Sequence, residues 1–208
     1  MIGKFIAFEG SDGSGKTTIL NNVEKFLIEN NIDFIITREP GGTKISEEIR
    51  EILLSNDNSE MSARTEALLY SASRAQHVDE LILPNLQKGK LVISDRYVLS
   101  SLAYQGFGRE LGYDSVKEIN DFATDNLSPD YTFFFNVDPI TVLKRKRNNF
   151  VTDRLENESN SYHNKVYNGY QEILKRNKDN LIIIDASKSI EEVTEQTISK
   201  LKTILNID

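Results

Sequence analysis

Short uninterrupted apolar runs alternate along the chain with longer stretches in which apolar residues recur every three or four positions. The runs are Phe5-Ile6-Ala7-Phe8, Phe34-Ile35-Ile36-Thr37, Leu91-Val92-Ile93-Ser94, Thr132-Phe133-Phe134-Phe135 and Leu181-Ile182-Ile183-Ile184. They are continuous rather than alternating, which predicts strands covered on both faces, as in a parallel sheet. Between them the period is helical: Ile19, Val23, Phe26 and Leu27, then Val166, Tyr170, Ile173 and Leu174, and last Ile190, Val193, Leu201, Ile204 and Leu205. Strand and helix in this rhythm predict an α/β fold, a parallel five-stranded sheet flanked by helices with right-handed crossovers.

The chain has 208 residues, no internal repeat and no Pro/Gly/Ser-rich linker, so a single domain over 1–208 is expected. Hydrophobic residues at 38% and charged ones at 27% place it among ordinary globular proteins. A net charge of −7 argues against a surface that grips a nucleic acid polymer or an anionic membrane, yet leaves room for a basic pocket. With no cysteine there is no disulfide framework, thiolate metal site or Cys nucleophile, and His77 and His163 stand too far apart to suggest a His cluster. No stretch approaches the ~18 apolar residues of a membrane span. The N-terminal apolar stretch is too short for a signal peptide and runs into glycines, so a cytoplasmic protein is expected.

Those glycines carry the first chemistry. Gly10-Ser11-Asp12-Gly13-Ser14-Gly15-Lys16-Thr17, followed by Thr18, fits G-x-x-x-x-G-K-[ST] between a predicted strand and a predicted helix. Such a loop wraps so that successive backbone N–H groups face phosphate oxygens, at the positive end of the helix that follows. Lys16 would reach the β- and γ-phosphates of ATP, and Thr17 would place its hydroxyl on Mg²⁺. The fold expected is then the three-layer P-loop NTPase type. The strand Leu91–Ser94 ends in Asp95, which beside such a loop would hold the Mg²⁺ hydration shell; many strands also end in Asp for turn reasons alone. The absence of a D-x-x-G after this strand and of N-K-x-D later argues against a GTP switch.

Two further pairs are weak taken alone. Tyr70 and Arg74 lie four apart on a predicted helix and would form a platform for a base or a phosphate, or else a core-edge tyrosine beside a solvated arginine. Ser101 and Gln105 repeat the spacing, and would read the edge of a base or simply face water. The run Lys144, Arg145, Lys146, Arg147 and Arg154 against Asp153 makes a +4 flap within an acidic chain.

Taken together, these segments resemble the bacterial thymidylate kinase (dTMP kinase) family of P-loop nucleoside monophosphate kinases. The residues carrying the resemblance are Phe8-Glu9-Gly10 leading into the loop, Thr37-Arg38-Glu39-Pro40-Gly41-Gly42, and Leu68-Leu69-Tyr70-Ser71-Ala72-Ser73-Arg74. Asp95-Arg96-Tyr97 through Ser101-Leu102-Ala103-Tyr104-Gln105-Gly106, and Asp153-Arg154-Leu155-Glu156, complete the set in family order. The resemblance implies phosphorylation of dTMP to dTDP by ATP with Mg²⁺, in dTTP biosynthesis, by a homodimer. It implies Arg96 at the acceptor phosphate, Arg74 near the thymine, Tyr70 stacked on it where the family usually has Phe, and Ser101 and Gln105 at its edge. It places Tyr104 against a 2′-hydroxyl and Asp12 toward the 3′-hydroxyl, with Glu39, Pro40 and Arg50 as further lining. A mobile lid, about 143–156, would bring a catalytic arginine, with Arg145, Arg147 and Arg154 as candidates. A deoxynucleoside kinase, which would need a carboxylate base, and an ATPase acting through a partner protein are the competing readings.

Overall fold

The structure, a computed structural model, describes residues 3–138, 141, 153–176 and 180–207. Five parallel strands, β1 (Phe5–Glu9), β2 (Phe34–Arg38), β3 (Leu91–Asp95), β4 (Tyr131–Asn136) and β5 (Leu181–Asp185), form one sheet in the order β2-β3-β1-β4-β5. Each apolar run is a strand, and each strand runs one residue further than the apolar pattern, onto a polar side chain: Glu9, Arg38, Asp95, Asn136 or Asp185. Those polar ends share the carboxyl edge of the sheet. The chain starts in the middle, so β3 and β4 flank β1 and leave it by opposite directions, which opens a crevice beyond its carboxyl end.

The period of two explains how a continuous apolar run serves two faces. Ile6, Phe8, Ile93, Phe133 and Phe135 pack with Ile19, Val23 and Leu27 of α1 (Lys16–Glu29) and with Val193, Leu201 and Ile204 of a C-terminal helix (Ile190–Leu205). Phe5, Ala7 and Val92 face the opposite layer, under Val78, Ile82 and Leu86. Ile190, expected on the buried stripe, is instead 53% exposed, because it is the first residue of its helix and stands at the cavity rim.

That opposite layer holds α2 (Lys44–Leu54), α3 (Ala63–His77), α4 (Leu83–Gln87), α5 (Val98–Ser101), α6 (Tyr113–Thr124) and α7 (Asn160–Arg176); the Ile190–Leu205 helix is α8. Between α5 and α6 the chain widens into a π-helical stretch, Leu102–Gly108. Ser101 and Gln105 therefore do not stand one α-turn apart: Ser101 closes α5 and Gln105 lies inside the wider turn. Both are buried. Such widened turns recur at functional sites because they re-aim side chains.

Candidate functional site

A cavity of about 740 Å³ lies beyond the carboxyl ends of β1 and β3. Its wall is built from the loop before α1, the ends of β2 and β3, one face of α3, the π-helical stretch and the turn between β5 and α8. Gly10 begins the loop at φ +141°, and a Cβ there would stand 2.7 Å from the Phe135 carbonyl oxygen, so the close turn off β1 requires glycine. Asp12, Gly13, Ser14, Gly15, Lys16, Thr17 and Thr18 line the cavity; Gly10 and Ser11 stand behind it and offer their carbonyls to Lys16 Nζ at 3.0 and 3.3 Å. Burial, together with the neighbouring Arg96 charge, pushes Lys16 down to about 8, against the pull of Asp95, Asp12 and Glu9.

Ser14 Oγ and Asp95 Oδ1 are buried and have no hydrogen-bond partner among the described residues, and Thr17 is in the same wall. Hydroxyl and carboxylate oxygens left open beside a phosphate loop suit a hard divalent cation that keeps most of its waters, so Mg²⁺ fits these residues. Among the described residues there is no cluster of three His, Cys, Asp or Glu that could hold a metal ion.

Arg96 joins β3 to the loop. Its backbone is left-handed, φ +76°, and its N–H donates to Phe8 O at 2.8 Å, folding the end of β3 over β1. Nη1 donates to Gly10 O and Ser100 Oγ, both at 2.9 Å, and Nη2 to Asp12 Oδ1 at 2.5 Å. Tyr104 Oη donates to the other Asp12 oxygen at 2.8 Å, and burial plus that carboxylate keep the phenol protonated. Among the described residues this leaves Nε–H and one Nη2–H of Arg96 for a ligand.

Arg74 is buried with almost every donor engaged. Nε meets Glu39 Oε2 at 2.6 Å, Nη1 meets Ser101 Oγ at 2.9 Å and Asn120 Oδ1, and Nη2 meets Tyr97 O at 3.0 Å. Among the described residues four of its five N–H groups are thus committed, which leaves one Nη2–H, and Arg74 lines the cavity. Glu39 also bonds His77 Nδ1 at 3.0 Å, whose Nε2 meets Thr37 Oγ1 at 2.8 Å. Gly42, at φ +93°, makes room for that ring: a Cβ would lie 2.7 Å from it. Pro40 lines the cavity after a cis peptide bond, and its carbonyl accepts from Arg50 Nη1 at 2.7 Å. Tyr70 and Arg74 do share a face of α3, and both reach the cavity.

The basic flap is met only at its end. Arg145 and Arg147 lie outside the described residues, as does most of the 143–156 segment. Arg154 is buried away from the cavity lining: Nη1 pairs with Glu66 at 2.8 Å and Nε donates to Leu53 O at 2.9 Å, while Asp153 and Leu155 on either side do line it. Arg154 thereby ties the chain at 153–155 to α2 and α3.

Several further residues belong to the site or support it. Glu9, fully buried, accepts from Tyr97 N at 2.8 Å, Ser100 N at 3.2 Å and Ser100 Oγ at 2.6 Å, and burial raises its pKa despite those bonds and Arg96. A carboxylate ending an apolar strand next to the glycines was the available signal. Lys188 and Ala186, on the turn after β5, close the far side of the cavity, with Ile190 and Val193 beside them.

Comparison with known proteins gives one consistent result. The family model described as thymidylate kinase matches residues 8–197. A thymidylate kinase of Finegoldia magna is 57% identical over 198 residues, 95% of this chain and 97% of that protein. Thymidylate kinases of a Geobacillus strain and of Lactobacillus acidophilus are 50% and 48% identical over 96% and 97% of this chain, and 96% and 95% of those proteins.

Proposed function

The chain belongs to the thymidylate kinase family, and from there we propose that this cavity transfers the γ-phosphoryl group of ATP to the phosphate of dTMP, giving dTDP for dTTP synthesis. The observation that carries the reading is the Asp12–Arg96 ion pair, which brings the loop for a donor triphosphate against the arginine for an acceptor phosphate in one cavity.

An acceptor monophosphate has a second pKa near ~6, so its attacking oxygen is already deprotonated at neutral pH and needs no general base. The barrier is repulsion between two polyanions, which calls for positioning and charge neutralisation. Lys16 supplies a cation at the donor side, and the two remaining donors of Arg96 supply one at the acceptor phosphate. Mg²⁺, held by Thr17 and through Asp95, would neutralise charge on the donor phosphates. A flap arginine, Arg145 or Arg147, would complete the shell on closure, while Arg154 stays paired with Glu66. Arg74 would give its one spare N–H to the thymine, Tyr70 would stack on it, and Ser101 and Gln105 would border its edge. Tyr104, held by Asp12, occupies the side where a 2′-hydroxyl would project. Lys188 and the β5–α8 turn would receive the donor base.

The same reading includes a homodimer and a cytoplasmic setting. Ile45 and Ile52 on α2, Leu68 on α3 and Phe122 on α6 are large apolar side chains 49%, 47%, 56% and 90% exposed on neighbouring helices, and a second copy would cover them. Among the described residues no helix is long and apolar enough to cross a membrane. Chromatographic identification of the product tests the reaction: dTDP forms from dTMP and ATP, and thymidine offered instead is not phosphorylated. Thymidine phosphorylation without dTDP formation would point to a nucleoside kinase.

A further inference from the structure

Glu66 lies on α3 with no solvent exposure, and three side chains converge on it. Gln105 Nε2 donates to Oε1 at 3.0 Å. Arg109 donates from Nε at 3.1 and 3.2 Å and from Nη2 at 2.9 Å. Arg154 pairs with Oε2 at 2.8 Å. Burial alone would raise the Glu66 pKa, but hydrogen bonds from Arg109 and Gln105, with the Arg109 charge and Arg154, hold it below the usual carboxylate value.

An ionised carboxylate can only accept. The amide of Gln105 therefore has one orientation that satisfies it, with nitrogen toward Glu66, and the carbonyl oxygen is the polar atom left for a ligand in the cavity that Gln105 lines. Thymine carries an N–H at ring position 3 and a carbonyl at position 4; cytosine carries a bare nitrogen and an amino group there. A fixed acceptor on Gln105 beside the single spare donor of Arg74 matches the first pattern and opposes both groups of the second.

We propose that Glu66 is a positioning residue that locks the Gln105 amide so that its carbonyl oxygen accepts from the N3–H of the acceptor base, and so excludes cytosine. The inference rests on the thymidylate kinase reading. It also gives Arg154 a defined place, because the base of the flap and the base-reading amide share one carboxylate.

The test compares kcat/KM for dTMP and dCMP in the full-length enzyme. In Glu66→Gln the new amide can offer either a donor or an acceptor, Gln105 is free to turn over, and the dTMP preference falls about tenfold or more. The fall sits in the KM for the monophosphates, with KM for ATP unchanged. Glu66→Asp keeps the buried charge opposite Arg109 and Arg154 but withdraws it from Gln105, so it moves the ratio in the same direction even if Glu66→Gln folds poorly. Gln105→Leu lowers the ratio by itself, and combining it with either Glu66 variant lowers it no further, as a shared route requires. A purely structural role would depress both substrates alike and leave the ratio where it was, which would overturn this inference alone. A wild-type enzyme with no preference for dTMP over dCMP would overturn the parent reading, and this one with it.

Discussion

Asp12 and Arg96, 84 residues apart in sequence, meet at 2.5 Å across the mouth of the phosphate loop. The pair ties the end of β3 to the loop and holds the guanidinium where an acceptor phosphate must approach. It also gives Asp12 a second duty, since its other oxygen receives the Tyr104 hydroxyl.

Loss of that guanidinium removes a cation from between two polyanions. Arg96→Ala is expected to lower kcat by about 10³-fold, in the range of arginines that neutralise phosphoryl transfer. Arg96→Lys recovers little of it, because an ammonium cannot span Gly10 O, Ser100 Oγ, Asp12 and a phosphate from one plane. Steady-state kinetics with circular dichroism to confirm folding checks both.

Burial and the neighbouring Arg96 charge push Lys16 down to about 8. Bound triphosphate stabilises the cation and raises that value. ATP binding above pH 8 therefore takes up a proton, and affinity weakens as pH climbs from 8 to 10, by about tenfold per unit at most. Calorimetry at pH 8.5 in buffers of different ionisation enthalpy reads the uptake directly. Proton release on binding would contradict the assignment.

Glu66 contributes to stability in a defined pH window. Its folded pKa lies below the unfolded value of 4.5, so its contribution is complete above 4.5 and is lost as pH falls toward the folded value. Glu66→Gln takes the carboxylate from buried Arg154, while Arg109 keeps Glu158, and is expected to cost about 3 kcal/mol at pH 7. Denaturant titrations should show the difference from wild type narrowing below pH 4.5.

The exposed apolar residues of α2, α3 and α6 predict self-association. Sedimentation equilibrium should report a dimer for the unmodified chain. Phe122→Glu, on the most exposed of them, should weaken it by more than about tenfold while leaving the melting temperature of the monomer nearly unchanged. A wild-type monomer at micromolar concentration would remove the dimer from the account.

The apolar runs were enough to place all five strands, but burial on both faces accounts only for β1, β3 and β4; the edge strands β2 and β5 are equally apolar yet half-buried, with Ile183 57% exposed. The runs could not show that each strand continues onto a polar residue, and those ends include Glu9 and Asp95 in or beside the site. The phosphate loop was legible as a contiguous motif. The Arg74–Glu39–His77–Thr37 chain was not, since its members are drawn from β2, the turn after it and α3, and only folding makes them neighbours. Ser101 and Gln105 are spaced as a helical pair, yet Ser101 ends α5 and Gln105 lies in the π-helical stretch, and each has its own partner on α3. Arg154 was one of three equal flap candidates, and the buried Glu66 that distinguishes it stands 88 residues earlier in the chain.

The most direct measurement offers ATP and Mg²⁺ with dTMP, dUMP, dCMP, AMP and GMP in turn and follows ADP release. The account predicts rapid release with dTMP and far slower release with dCMP, AMP and GMP. ADP release at the same rate with every monophosphate, or with none added, would contradict it.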